Sequence, residues 1–266
     1  MWKERINRAS AFKKDFREGK CKIGAHVFLL DPSITEALAL CGYDYIWIDG
    51  EHSPFSAEII LSHIFAAASG NAASFVRVPW NNHVLLKPIQ EMNPDGVIIP
   101  FINNSEEAAK AVSACRYPPK GIRGLSPRRA NNYGNMNFSA YIENVENSFL
   151  IIIQIETMTA VNNIESIIKT DGIDAVIIGP LDLSASMGLI GNIKHENVIT
   201  ACDKAIEACK KFEKPCGIAI GPMDLDYFKS WISKGVNLIS CGDDISFIQM
   251  GSRRVLDSAR EIQSSS

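Results

Sequence analysis

Along the chain, short apolar runs recur with stretches of helical spacing between them. The runs are GAHVFLL (24–30), YIWID (45–49), SFVRVP (74–79), GVIIP (96–100), FLIIIQIE (149–156), DAVIIG (174–179), CGIAI (216–220) and NLISCG (237–242). Most are continuous rather than alternating and rich in Val and Ile, the pattern of parallel strands covered on both faces. Between them, 34–42, 56–69, 106–116, 159–169 and 198–212 carry helical patterns. Ser33, Ser56 and Ser105 are placed as helix caps, and Gly or Pro punctuates the ends. Eight such runs alternating with helices predict one (β/α)8 TIM barrel over residues 1–266, with a capping N-terminal helix. A doubly wound sheet with a helical appendix is the alternative. Only the tail, 263–266, reads as disordered.

Composition narrows the class. With 266 residues and 46% hydrophobic content the chain is long enough for a large core. A net charge of -3 argues against a strongly basic nucleic-acid or membrane surface. No apolar run approaches the roughly 20 residues of a spanning helix. The charged N-terminus, MWKERINRASAFKKDFREGK, lacks the apolar stretch of a secretory signal. Seven scattered cysteines without a CxxC pair read as reduced thiols of a cytoplasmic protein, with Cys41, Cys216 and Cys241 beside or inside strands. Cys202 and Cys209, at i and i+7, read as buried small hydrophobes.

Barrel geometry turns the pattern into chemistry, because polar residues at the carboxyl ends of strands face the active-site mouth. Those ends read Asp49-Gly50-Glu51-His52, Arg77, Glu156 and Gly179-Pro180-Leu181-Asp182, from four strands. Glu156 and Asp182, converging at one mouth, repel each other unless a cation or shared proton intervenes, and their oxygens suit Mg²⁺ or a similar ion. The plainer reading is a pair of solvated loop carboxylates. Asp49 stands three positions before His52, where it can hold one imidazole nitrogen and leave the other for proton transfer. His26 lies within the first strand, with its ring placed to point into the barrel.

Arg77, flanked by apolar residues, is either a buried salt bridge to Glu156 or Asp49, or a guanidinium that holds a substrate carboxylate or keto oxygen and stabilises an enolate. The Ile178–Leu181 turn before a helix start forms an anion cradle, although such turns are common. No lysine stands at a strand end in a Schiff-base position, since Lys87 and Lys110 fall in helical stretches. Together these parts describe a 2-oxo acid chelated by a divalent metal, with Arg77 stabilising its enolate.

The strings IDGEHSP, VRVP, RYPPKGIRGLS, QIET and IGPLDLSASMG, in this order, resemble the HpcH/HpaI aldolase/citrate lyase family over about residues 20 to 250. The resemblance implies a metal-dependent class II pyruvate aldolase that makes or cleaves a 4-hydroxy-2-oxo acid through a pyruvate enolate. It implies Glu156 and Asp182 as ligands of Mg²⁺, Mn²⁺ or Co²⁺, and Arg77 on the pyruvate oxygen. His52 would be the acid/base, oriented by Asp49, with Gln154 lining the metal site. The turn Gly179-Pro180-Leu181 would hold the pyruvate carboxylate through the backbone of Gly179 and Leu181. It also implies a hexamer, a trimer of dimers that exchanges the last helix.

RYPPKGIRGLSPRRANNYG, with Ser126, looks most like the 2-dehydro-3-deoxyglucarate aldolase branch of sugar-acid catabolism. Leu181, Trp80 and IAIGPMD (218–224) depart from the family pattern around the mouth, which puts the aldehyde in doubt. Arg128 and Arg129 could receive an acidic aldehyde or form a solvated basic loop. Competing readings are an oxaloacetate decarboxylase, an acyl-CoA lyase of the citrate lyase β type, and a catalytically silent barrel.

Overall fold

Within each apolar run the side chains alternate between two faces, and both faces are buried. In the 45–49 run, Tyr45 and Trp47 join an inner cluster with Phe75, Ile98, Leu150, Ile152, Ile177 and Leu238, while Ile46 and Ile48 join the larger layer beneath the helices. The computed structural model describes residues 2–221 and 224–265. Its strands are β1 (Lys22–Val27), β2 (Tyr45–Asp49), β3 (Ala73–Arg77), β4 (Gly96–Ile99), β5 (Leu150–Ile155), β6 (Ala175–Ile178), β7 (Cys216–Ile220) and β8 (Leu238–Asp243). All pair in parallel in sequence order, and β8 returns to β1, so the sheet closes as the (β/α)8 barrel expected from the pattern, not a doubly wound sheet.

The first helices are α1 (Trp2–Arg17), α2 (Pro32–Leu40), α3 (Ala57–Ser69), α4 (His83–Glu91), α5 (Ser105–Cys115) and α6 (Phe138–Ser148). They are followed by α7 (Met158–Asn162), α8 (Ile164–Ile168), α9 (Pro180–Ser186), α10 (Glu196–Lys211), α11 (Leu225–Ser233) and α12 (Asp244–Ser264). α1 plugs the amino-terminal end of the barrel. Its Phe12 meets Phe16, Tyr45 and Phe75 edge-on or nearly so, at 5.1, 6.0 and 5.1 Å, contacts worth about 0.5–1.5 kcal/mol each beyond area burial. Inside the barrel Gly24 makes room for Tyr45, because a Cβ there would lie 2.3 Å from the ring. The fully buried Asp95 accepts from Ser74 N–H at 2.8 Å and pairs with Arg8 at 2.9 Å, which anchors the plug.

Three local expectations are corrected. β1 ends at Val27 rather than Leu30, because Asp244 accepts the N–H groups of Phe28 and Leu29 at 3.0 and 2.9 Å. Ser56 caps α3 as expected, but Asp31 and Asn104 take the places given to Ser33 and Ser105. Pro32 fits the first helical position directly after the Asp31 cap. The 159–169 stretch breaks at Asn163, whose φ and ψ of −98° and 4° leave the helix while its amide donates to Asn103 O at 2.9 Å. Cys41 follows α2 as its C-cap, just ahead of β2, and is exposed.

α12 continues through Gln263 to Ser264, into the tail read as disordered. All seven cysteines are free. No helix among the described residues is long and apolar enough to cross a membrane.

Candidate active site

Register decides which strand-end side chains can meet. Asp49 lies opposite Arg77 in the β2–β3 ladder, so both leave the sheet on the inner face. Arg77 Nε donates to Asp49 Oδ1 at 3.1 Å, and its Nη2 pairs with Asp49 Oδ2. Arg77 Nη1 pairs with Glu51 Oε2 at 2.9 Å, and the guanidinium lies 5.3 Å from the Trp47 ring. Asp49 is fully buried. Burial pushes its carboxyl up, but the charge and hydrogen bonds of Arg77, with the His52 N–H, outweigh this and hold it below the ordinary carboxylate range. For Glu51, burial wins over Arg77 and raises the carboxyl.

The DGEH turn is tied to the same carboxylate, but not as the spacing predicts. Asp49 Oδ1 accepts the backbone N–H groups of Glu51 and His52 at 2.9 and 3.0 Å, so it holds the His52 main chain rather than its ring. The ring lies at the mouth with 59% of its side chain exposed and Nε2 3.9 Å from Glu51 Oε2. Glu51, passed over in the sequence, thereby links Arg77 to His52.

Two strands on from β3, β5 carries Gln154 inward and is followed directly by Glu156. Glu156 Oε1 accepts from Gln154 Nε2 at 2.7 Å and Oε2 from Phe101 N–H at 3.0 Å. Phe101 takes a positive φ of 53°, a conformation disfavoured for a bulky residue, and this turns its N–H onto the carboxylate. Nothing in the sequence marked it. Burial, relieved in part by Phe101 and Arg77, pushes Glu156 up to about 8. The other Gln154 side-chain atom, Oε1, is buried with no partner among the described residues.

Gly179 lets the β6–α9 turn pass close to this carboxylate, since a Cβ there would stand 2.8 Å from Glu156 Oε1. Its N–H donates to Ile155 O at 3.1 Å within the barrel, so it is not free to hold a substrate. Pro180 has no N–H, which leaves Leu181 and Asp182 as the first-turn donors of α9.

His52, Arg77, Gln154, Glu156, Gly179, Pro180, Leu181 and Asp182 all line one cavity of about 430 Å³ at the carboxyl ends of the strands. His26, Phe28, Trp47 and Asp243 line it too. Of these, Asp243 was legible by the strand-end rule applied to β8, and it caps α12 through Ser246 N–H at 2.8 Å. The residues predicted for the aldehyde side do not line the cavity. Trp80 is exposed and faces Phe101 at 5.5 Å, and Ser126 and Arg128 are exposed. Arg129 donates to the carbonyls of Met92 and Asn93 and lies 4.5 Å from the Phe65 ring. Of the 218–224 departure, residues 222 and 223 lie outside the described residues. A larger cavity, about 540 Å³, opens beside α1, but its Arg8 and Lys22 are already paired, Lys22 with Asp15 at 2.7 Å.

A parallel barrel with an arginine held between two carboxylates, facing two more at the strand ends, defines a barrel enzyme with an acid-lined mouth. Residues 22–245 match the family described as HpcH/HpaI aldolase/citrate lyase. A curated relative from Salmonella arizonae, named 5-keto-4-deoxy-D-glucarate aldolase, is 34% identical over 251 residues, 94% of this chain and 96% of its own. An HpcH/HpaI aldolase/citrate lyase family protein from Burkholderia cenocepacia J2315 superposes with a TM-score of 0.89 at 30% identity, covering 94% of this chain and 99% of its own. The HpcH/HpaI aldolase from Desulfitobacterium hafniense DCB-2 gives 0.87 at 26% identity, covering 94% and 96%. The chain belongs to the HpcH/HpaI aldolase/citrate lyase family and is an enzyme, a carbon–carbon lyase.

Proposed function

We propose that this enzyme is a divalent-metal-assisted aldolase that cleaves a 4-hydroxy-2-oxo acid of the sugar-acid type, like the compound named for its relatives, to pyruvate and an aldehyde. The observation that carries the reading is that a buried arginine, two carboxylates and a histidine converge on one cavity. The donor set fits a hard cation such as Mg²⁺, Mn²⁺ or Co²⁺. Glu156 is a carboxylate raised by its burial, Gln154 Oε1 is an orphaned acceptor beside it, and Asp182 shares the cavity. When bound, the cation supplies Lewis-acid polarisation of the 2-oxo group.

The chain's own residues do the rest. Arg77 donates two hydrogen bonds to Asp49 and is ion-paired with Glu51, and its remaining N–H groups serve the substrate oxygen on which negative charge grows as the C3–C4 bond breaks. Asp49 is a positioning residue for both Arg77 and the turn that carries His52. His52 takes the proton of the 4-hydroxyl during cleavage and returns it in the condensation direction. The Leu181 and Asp182 N–H groups at the start of α9 receive the carboxylate.

The same reading makes the enzyme a cytoplasmic homo-oligomer assembled through α12, which fits the exposure of Val255, Leu256 and Ile262 on that helix. The test is pyruvate release from 5-keto-4-deoxy-D-glucarate, followed through lactate dehydrogenase before and after EDTA. Metal-dependent release is expected. Release that EDTA leaves untouched would overturn the metal assignment, and no release from any 4-hydroxy-2-oxo acid would overturn the reaction.

A further inference from the structure

Across the barrel from Glu156 and Asp182, the cavity wall is built by β1 and β2. There His26 alternates with Ala25 and Val27, which belong to the outer layer, so its own side chain turns inward. It stands in register with Trp47 on one side and Asp243 on the other. Three neighbours fix the ring. It stacks on Phe28 at 5.6 Å and 11°, lies 4.1 Å from the Trp47 ring, and its Nδ1 is 2.8 Å from Ser240 Oγ.

Only Nε2 has no hydrogen-bond partner among the described residues, and unlike Trp47 Nε1 it is not sealed from solvent. Nε2 therefore faces the cavity, where water or a substrate group meets it. Burial, helped by Arg77, pushes the ring down to about 3, so the imidazole is neutral and offers one hydrogen bond, not a charge.

We propose that His26 is a specificity-determining residue whose Nε2 hydrogen-bonds a hydroxyl group on the aldehyde half of the substrate. The inference rests on the aldolase reading. That reading places the 2-oxo acid end on the side of Glu156, Asp182 and Arg77, so the carbon chain beyond the breaking bond runs toward β1. Phe28 and Trp47 give that chain apolar surface, and the neutral imidazole marks the position of one oxygen. A hydroxyl both donates and accepts, so it suits either imidazole tautomer. Among the described lining residues Arg77 is the one Lys or Arg, and Asp49 and Glu51 already pair it, so this wall offers a second carboxylate no cation of its own.

The test compares aldol addition of pyruvate to glycolaldehyde and to acetaldehyde, which differ by the hydroxyl, in wild type, His26→Phe and Ser240→Ala. The readout is the ratio of kcat/KM for the two aldehydes. Intrinsic reactivity and any general loss of activity cancel when that ratio is compared between variants. His26→Phe should lower the ratio about three- to tenfold, the range of one neutral hydrogen bond. Ser240→Ala, which frees Nδ1 but keeps the ring, should lower it by about two- to threefold.

A ratio unchanged in His26→Phe overturns the proposal. If that variant turns over neither aldehyde, an unchanged ratio in Ser240→Ala overturns it instead. Metal-dependent exchange of pyruvate methyl protons by the wild type keeps the two failures apart. Without it the aldolase reading itself fails, and with it an unchanged ratio counts against His26 alone.

Discussion

Replacing Glu156 with Gln should make the metal-free protein more stable at alkaline pH while removing its activity. Glutamine has the shape of the protonated acid and cannot ionise. In the folded protein, burial lifts Glu156 from the ordinary 4.5 to about 8. Between those values the folded state keeps a proton that the unfolded chain has released, so wild-type stability falls as pH rises, by up to about 1.4 kcal/mol per whole pH unit. Water entering the open cavity reduces the total, to about 2–4 kcal/mol by pH 8. Below pH 4.5 this contribution is fully present, and above 8 it is gone.

Urea unfolding in EDTA at half-unit steps from pH 5 to 8.5 measures it. The wild-type curve should drop away from that of Glu156→Gln, and saturating Mg²⁺ or Mn²⁺ should restore the wild type only, because the cation binds the ionised folded state. Parallel curves for the two proteins would refute the argument from burial.

Arg77→Ala leaves the fully buried Asp49 without its cation and should cost about 3–5 kcal/mol in chemical unfolding, with loss of pyruvate methyl exchange. Retained exchange would remove Arg77 from the reaction. Gly179→Ala drives a methyl toward Glu156 Oε1 and should weaken metal binding about tenfold or more in isothermal titration, with the far-ultraviolet circular dichroism unchanged. Asp182→Ala should abolish EDTA-sensitive turnover while moving the unfolding midpoint little, because Asp182 is not in the core. A folded variant with full turnover that EDTA still abolishes would exclude Asp182 as a ligand.

Much of the barrel was legible because each strand is buried on both faces, so β2 and β5 open on continuous apolar runs, YIWI and LIII, before their polar site residues. The strand-end rule located Arg77, Glu156 and Asp182 for the same reason: a charge directly after such a run sits at the mouth. What it could not supply was direction. Asp49 stands three residues before His52, yet the β2–β3 register points its carboxylate at Arg77 and leaves only main-chain N–H groups of the turn in reach.

Phe101 and Gln154 Oε1 act through backbone conformation and an orphaned atom, neither of which has a sequence signal. Arg129 looked like a substrate cation, but carbonyls at the end of α4 claim it. The caps slipped by one or two residues because Asp31 and Asn104 bond the first turn better placed than the serines beside them.

The proposed function stands on one step, formation of a pyruvate enolate in this cavity with the help of a divalent cation. Proton nuclear magnetic resonance of pyruvate in D₂O with the purified enzyme tests it without knowledge of the aldehyde. The methyl signal should be lost with Mg²⁺ or Mn²⁺, persist in EDTA, and persist in Asp182→Ala under either condition. A methyl signal that survives with every divalent metal tried would rule out enolate formation at this site.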